Sequence, residues 1–200
     1  MQTVPRVPPF DRPATYDDLV KLPDNLVAEI ADGQLHASPR PAFPHAGAGA
    51  AIGGYLMPAF DWGRGGPGGW LIYYEPELHL SADVLVPDWA GWRRTRMPHR
   101  PETPYATLAP DWLCEILSPS TTSFDRTKKL AIYAREGVSW AWLIDPLAHT
   151  LEVLKLENGR WTILATHAGE EVVRAEPFEA IELELAALWG DVGGGPPSAD

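Results

Sequence analysis

Three carboxylates and one lysine carry the chemical interest of this chain. Asp88 follows Pro87 at the end of an apolar run, and Glu115 lies inside Trp112-Leu113-Cys114-Glu115-Ile116-Leu117. Glu29 interrupts the short run Leu26–Ile30, and Lys129 falls in the helix-like segment after Glu115. An ionised carboxylate among apolar neighbours is costly unless a cation or hydrogen-bond donors compensate it. Two such groups on neighbouring strands could share a divalent ion, since hard cations take oxygen from carboxylates and backbone carbonyls. Each residue also has a plainer reading. Asp88 could be a turn residue. Glu115 could pair with a core arginine or tyrosine. Lys129 could pair with Asp125 one helical turn earlier, and Glu29 could sit half exposed on an edge strand. The joint order of these residues, with Ser118-Pro119-Ser120-Thr121 between Glu115 and Lys129, favours chemistry.

The elements that must position them can be read from period and punctuation. Thr15 caps a short helix running to about Leu22. Leu26–Ile30 and Gln34–Ser38 flank Asp32-Gly33 as a hairpin, and 150–156 and 160–166 flank Asn158-Gly159 in the same way. Residues 44–60 read as an Ala- and Gly-rich helix that can lie close to a sheet. Strands are expected at Trp70–Tyr74, Glu77–Leu80, Val84–Val86, Trp112–Leu117 and Val138–Ile144, with a loop rich in arginine from Arg93 to Arg100. Thr121 to Ser123 supply caps for a helix from Phe124 to Glu136, which stops at Gly137. One or two strands and a short helix, roughly 182–189, end the domain. The order gives an α+β fold around one mixed sheet. Residues 1–13 read as an extended Pro-rich arm, 14–190 as one domain, and 191–200 as a disordered tail.

Quoted together, several segments resemble a known family. They are Pro87-Asp88, Glu115 to Thr121, Asp125-Arg126-Thr127-Lys128-Lys129, Tyr133, Gly137-Val138, and Trp142-Leu143-Ile144-Asp145-Pro146. Glu29-Ile30-Ala31-Asp32-Gly33 and His45 also match. The pattern is similar to the Uma-two restriction endonuclease family, a branch of the PD-(D/E)XK nuclease superfamily, over about residues 14–190. The resemblance implies a restriction-endonuclease-like core, a central mixed β-sheet flanked by helices. It implies a catalytic set of Glu29, Asp88, Glu115 and Lys129, with Asp88, Glu115 and the Ile116 carbonyl on a magnesium or manganese ion. The superfamily lysine stands two residues after the acid, where this chain has Leu117. Here Lys129 in the next helix is the matching position, and Lys128 points about 100° away from it. His45 carries over least directly, because a lone histidine before a helix is commonly structural. A divalent ion lowers the pKa of bound water, and a lysine can orient that water and stabilise charge on phosphate oxygens.

Other chemistries are excluded or weakened. Gly47-Ala48-Gly49 lacks a leading strand and a correctly placed third glycine for a dinucleotide fold, and the loop from Gly63 to Gly69 lacks the Lys-Ser/Thr end of a phosphate loop. Neither G-x-S-x-G nor H-E-x-x-H occurs. The single cysteine, Cys114, excludes an intrachain disulfide and a multi-cysteine zinc site, and its neighbour Glu115 puts it on the opposite face of the strand, in the core.

The chain has 200 residues, 16 basic and 27 acidic, for a net charge of −11. That total argues against a generally basic nucleic-acid binder. Residues 93–135, however, hold 8 basic and 4 acidic groups around Glu115 and Lys129. No apolar run reaches the ~18 residues of a membrane span, so the expectation is a soluble cytoplasmic protein with no membrane partner. The function expected is metal-dependent hydrolysis of DNA, and a homodimer would suit the cutting of both strands. The alternatives are a catalytically idle binding or assembly module on the same fold, and a small-molecule phosphodiesterase. A narrow pocket would favour the small substrate, and a groove with basic walls would favour DNA.

Overall fold

Alternating apolar residues give this chain two main sheets beside a two-stranded one, and the acids gather where the chain passes between the first two. The computed structural model describes residues 11–23, 25–39 and 42–190. The expected arm at 1–13, apart from 11–13, and the expected tail at 191–200 lie outside the described residues. Helix α1 (Tyr16–Leu19) is closed by a reciprocal Thr15–Asp18 capping box. It leads into β1 (Leu26–Ala31) and β2 (Gln34–Pro39), paired antiparallel with Ala31 opposite Gln34. Asp32 and Gly33 both take positive φ, as a two-residue hairpin turn requires. Helix α2 (Phe43–Leu56) runs on into a π-helical turn, Met57–Asp61. Strands β3 (Trp70–Tyr74), β4 (Leu78–Leu80), β5 (Asp83–Leu85) and β6 (Trp89–Arg93) follow. After β7 (Trp112–Ile116), a continuous helical segment comprises α3 (Thr122–Phe124), a π-helical turn (Asp125–Lys129) and α4 (Leu130–Arg135). Then come β8 (Trp140–Asp145), the hairpin β9 (Thr150–Glu157) and β10 (Arg160–Ala168), the short pair β11 (Val172–Val173) and β12 (Leu183–Glu184), and α5 (Ala186–Trp189).

The large sheet has the order β10-β9-β8-β7-β6-β3, and only its β7–β8 pair is parallel. The α3–α4 segment is the crossover that a parallel pair needs. A smaller antiparallel sheet has the order β2-β1-β5-β4. Alternation along β7 sorts the core into two layers. Trp112, Cys114 and Ile116 pack with Ala48, Ile52 and Leu56 of α2, and with Trp142 and Phe178. Leu113 and Leu117 pack on the other face with Leu130, Ile132 and Tyr133 of α4 and with Leu78 and Leu85 of the small sheet. The fold is therefore α+β around a large mixed sheet. No helix among the described residues is long and apolar enough to cross a membrane.

Two expectations need correction. Residues 89–93 form an interior strand of the large sheet, where no strand was expected. Thr121 makes no side-chain cap on α3. The hydroxyls of this segment instead hold the turn before it: Ser118 Oγ lies 2.9 Å from Thr121 Oγ1, and Thr122 Oγ1 donates to the Ser118 carbonyl at 2.6 Å.

Candidate active site

The chain leaves the small sheet at β5 and enters the large one at β6 through Val86-Pro87-Asp88. This crossing has backbone groups that neither sheet satisfies, and buried side chains take them up. Glu29 Oε1 accepts the Val86 N–H at 2.8 Å, and Lys129 Nζ donates to the Val86 carbonyl at 3.1 Å. Asp88 bridges to the large sheet, where its Oδ2 accepts the Ile116 N–H at 2.6 Å. Its Oδ1 lies 3.1 Å from His45 Nε2, in the first turn of α2. The acid after Pro87 is thus a link between β6, β7 and α2 rather than a solvated turn residue.

Glu115 projects toward α4, away from Cys114, as strand alternation requires. It is 2 % exposed, and Lys129 is 3 % exposed. Lys129 Nζ lies 2.9 Å from Glu115 Oε1, 3.0 Å from Glu29 Oε1 and 3.7 Å from Asp125 Oδ1. The neighbour one turn back is therefore the loosest of the three contacts, and the long-range carboxylates hold the ammonium. Tyr133 OH donates to Glu115 Oε1 at 2.8 Å. Glu29 is buried in the interior of its sheet, not half exposed at an edge. Lys128 points out of the cluster and meets Asp32 at 3.0 Å. Lys129 sits at the end of the π-helical turn, a local widening that is frequent at functional sites.

The electrostatics follow from a count of charges in a small buried volume. Burial raises the Glu115 carboxyl well above the usual carboxylate range. Lys129 opposes that, but Asp125, Asp88 and Glu29 add to it. Burial likewise raises Asp125 to about 6, against the pull of Lys129 and a Thr121 hydrogen bond. Burial works against a charge on Lys129, yet Glu115 and Glu29 outweigh it and hold the ammonium well above its usual pKa. His45 follows the same logic: burial lowers it, and Asp88, Glu75 and Asp125 raise it further. One ammonium facing this many acids leaves a surplus of negative charge, which a proton or a divalent cation would relieve.

The donor set fits a hard divalent ion in type, since Asp88, Glu115 and the Ile116 carbonyl all offer oxygen. Among the described residues, no three His, Cys, Asp or Glu side chains form a ready-made cage for an ion. Glu115 gives both its oxygens to Lys129 and Tyr133, so it would have to exchange one of these contacts. The acids, His45 and Lys129 line a cleft of about 270 Å³ roofed by the Ser118–Thr121 turn. Among the described residues, no arginine lines it. Tyr133 and Asp125 lie outside the expected catalytic set, with Asp125 expected only as a helical partner of Lys129. Their spacing of four residues on either side of Lys129 was the available signal, since i and i±4 share a helix face.

A family model described as "Putative restriction endonuclease", Uma2, matches residues 13–187. A crystal structure described as a putative nuclease belonging to DUF820, from Anabaena variabilis ATCC 29413, shares the fold. The TM-score is 0.72 at 23 % identity, covering 89 % of this chain and 98 % of that one. None of the curated proteins matches.

Proposed function

The chain belongs to the Uma2 family of putative restriction endonucleases, and from that premise we propose that it is a metal-dependent endonuclease hydrolysing DNA phosphodiester bonds. The observation that carries this reading is the buried Lys129, which lies within 3.0 Å of Glu29 and Glu115 on the wall of a cleft shared with Asp88. Asp88, Glu115 and the Ile116 carbonyl would hold magnesium or manganese. Such an ion supplies an activated water and neutralises phosphate charge. Lys129, fixed by Glu29 and Glu115, orients the attacking water and stabilises charge building on phosphate oxygens. Glu29 keeps the ammonium in place and ties it to the β5–β6 junction through Val86. His45 fixes the Asp88 carboxylate by its Oδ1. Cutting both strands of a duplex would take two copies around a two-fold axis.

Nicking of supercoiled plasmid with magnesium or manganese tests this. We expect wild type to nick, and Asp88→Ala and Glu115→Ala to lose activity at least a hundredfold. Equal nicking by these variants would overturn the assignment. A second reading, a small phosphodiester as substrate, is favoured by one observation: among the described residues the cleft is lined by acids and one lysine, with no arginine. Hydrolysis of a small phosphodiester without plasmid nicking would select it. Manganese calorimetry addresses an idle module, for which no binding heat is expected.

A further inference from the structure

A second concavity opens beside the cleft, on the other side of the segment that links β3 to β4. Glu75 lines the cleft and donates its N–H to the Asp88 carbonyl at 2.9 Å. Its neighbours Tyr74, Pro76 and Glu77 line the second pocket, of about 200 Å³. That volume is roughly seven waters at liquid density, space for one planar ring system rather than a large ligand.

The lining is unlike that of the cleft. Half-buried Tyr73 and Tyr105 supply aromatic surface, backed by the buried Trp92 and Met97. Tyr73 stands edge-on to Trp92 at 6.2 Å, and Tyr105 is held flat against His79 at 3.8 Å and 12°. These rings are therefore fixed before anything binds. Two charged groups complete the pocket. Glu77 takes the Tyr16 hydroxyl at 3.0 Å and His79 Nε2 at 2.7 Å, both on Oε1. Neither bond uses Oε2, which is left to accept from a ligand N–H. Arg100 is exposed on the rim and has no ion pair among the described residues, in contrast to Arg94 and Arg96 before it.

An aromatic wall, one carboxylate acceptor and one unpaired cation match the face of a base, its N–H edge and a phosphate. A base has a face to stack and N–H groups to donate, and its phosphate seeks a guanidinium. We propose that this pocket takes a single unstacked nucleobase of the substrate strand, next to the bond positioned in the cleft. The inference rests on the nuclease reading and narrows its substrate class to strands with an unpaired or extruded base. A paired base within a regular duplex cannot offer its face, so the pocket discriminates by strand state rather than by total charge.

The test is fluorescence anisotropy with a labelled single-stranded oligodeoxycytidine and a blunt duplex of equal length, with calcium as the oxygen-seeking ion. Wild type should prefer the single strand. Tyr105→Ala and Arg100→Ala should each weaken that binding roughly fivefold or more, with no comparable loss on the duplex, and Tyr105→Phe should retain it. Arg100 is exposed, so its variant does not threaten the fold. Unchanged single-strand affinity in both alanine variants, equal losses on both probes, or a wild type that binds neither would overturn the proposal. Manganese calorimetry separates the two readings. Manganese heat with Tyr105-independent binding removes the pocket alone, whereas Tyr105-dependent binding without manganese heat removes the nuclease reading and leaves the pocket.

Discussion

At the scale of single residues, the cluster gathers more carboxylates than cations. Asp125 shows the consequence most directly, because burial lifts its carboxyl from 3.8 to about 6. The folded state then binds the Asp125 proton more tightly than the unfolded chain. Stability from this group is present at low pH and is lost as pH rises between about 4 and 6. Asp125→Asn removes the titration while keeping a polar side chain beside Lys129. Comparing urea unfolding of the two proteins at about pH 3.5 and pH 7.5, the difference should move in favour of asparagine by up to about 3 kcal/mol. A constant difference across this range would mean that Asp125 titrates normally. Lys129 obeys the opposite constraint: its charge is the counterweight to Glu29 and Glu115.

At the scale of elements, the site depends on how closely α2 can approach the large sheet. His45 reaches Asp88 only because the helix behind it lies flat on Trp89. Gly53 makes that possible, since a Cβ there would fall 2.7 Å from the Trp89 ring. Gly54, one residue on, is exposed and would meet nothing within 4 Å. Gly53→Ala should therefore cost about 1–3 kcal/mol of overpacking despite the better helix former, and Gly54→Ala should gain up to about 1 kcal/mol. Thermal or urea unfolding of both variants checks the pair; similar effects at the two positions would refute the close-approach argument. Much of this level was legible in the sequence. Both hairpins followed from Asp32-Gly33 and Asn158-Gly159, because a two-residue turn admits few residue types. Strand β6 was not legible, because Trp89-Ala90-Gly91-Trp92-Arg93 has a glycine at its centre and no β-branched residue. Gly91 is there because Trp112 and Trp70 close over it, with ring atoms 3.2 and 3.3 Å from where a Cβ would stand. That requirement comes from packing between strands, which no local pattern carries. The site was legible because buried acids stand out within apolar runs. Its closure by Tyr133 and by the Val86 backbone was not, since it depends on tertiary contacts.

At the scale of the whole molecule, the charge pattern of the sequence and that of the fold disagree. Read along the chain, 93–135 is a basic stretch, with 8 basic and 4 acidic residues. In space, acids from outside that stretch meet most of its cations. Arg94 pairs with Asp61, Arg126 with Glu152, Lys128 with Asp32, and Arg135 with Asp83 and Glu136. Arg96 pairs with Asp111, Arg93 lies over Trp70, and Lys129 is enclosed by the site. Exposed pairs of this kind are individually weak, but each acid remains beside its cation when a polyanion approaches. Among the described residues Lys21, Arg64, Arg93, Arg100 and Arg160 make no ion pair, and a duplex that reaches two or three of them releases few counterions. The logarithm of duplex affinity should fall against the logarithm of salt with a slope of about −2 to −3, as for two or three phosphate contacts. Between 50 and 200 mM salt that is a loss of only roughly fifteen- to sixtyfold. Anisotropy titrations with a blunt duplex measure it. A slope near −6 would require the arginines to leave their carboxylates on binding. A shallow slope would place recognition in the cleft rather than in a basic surface.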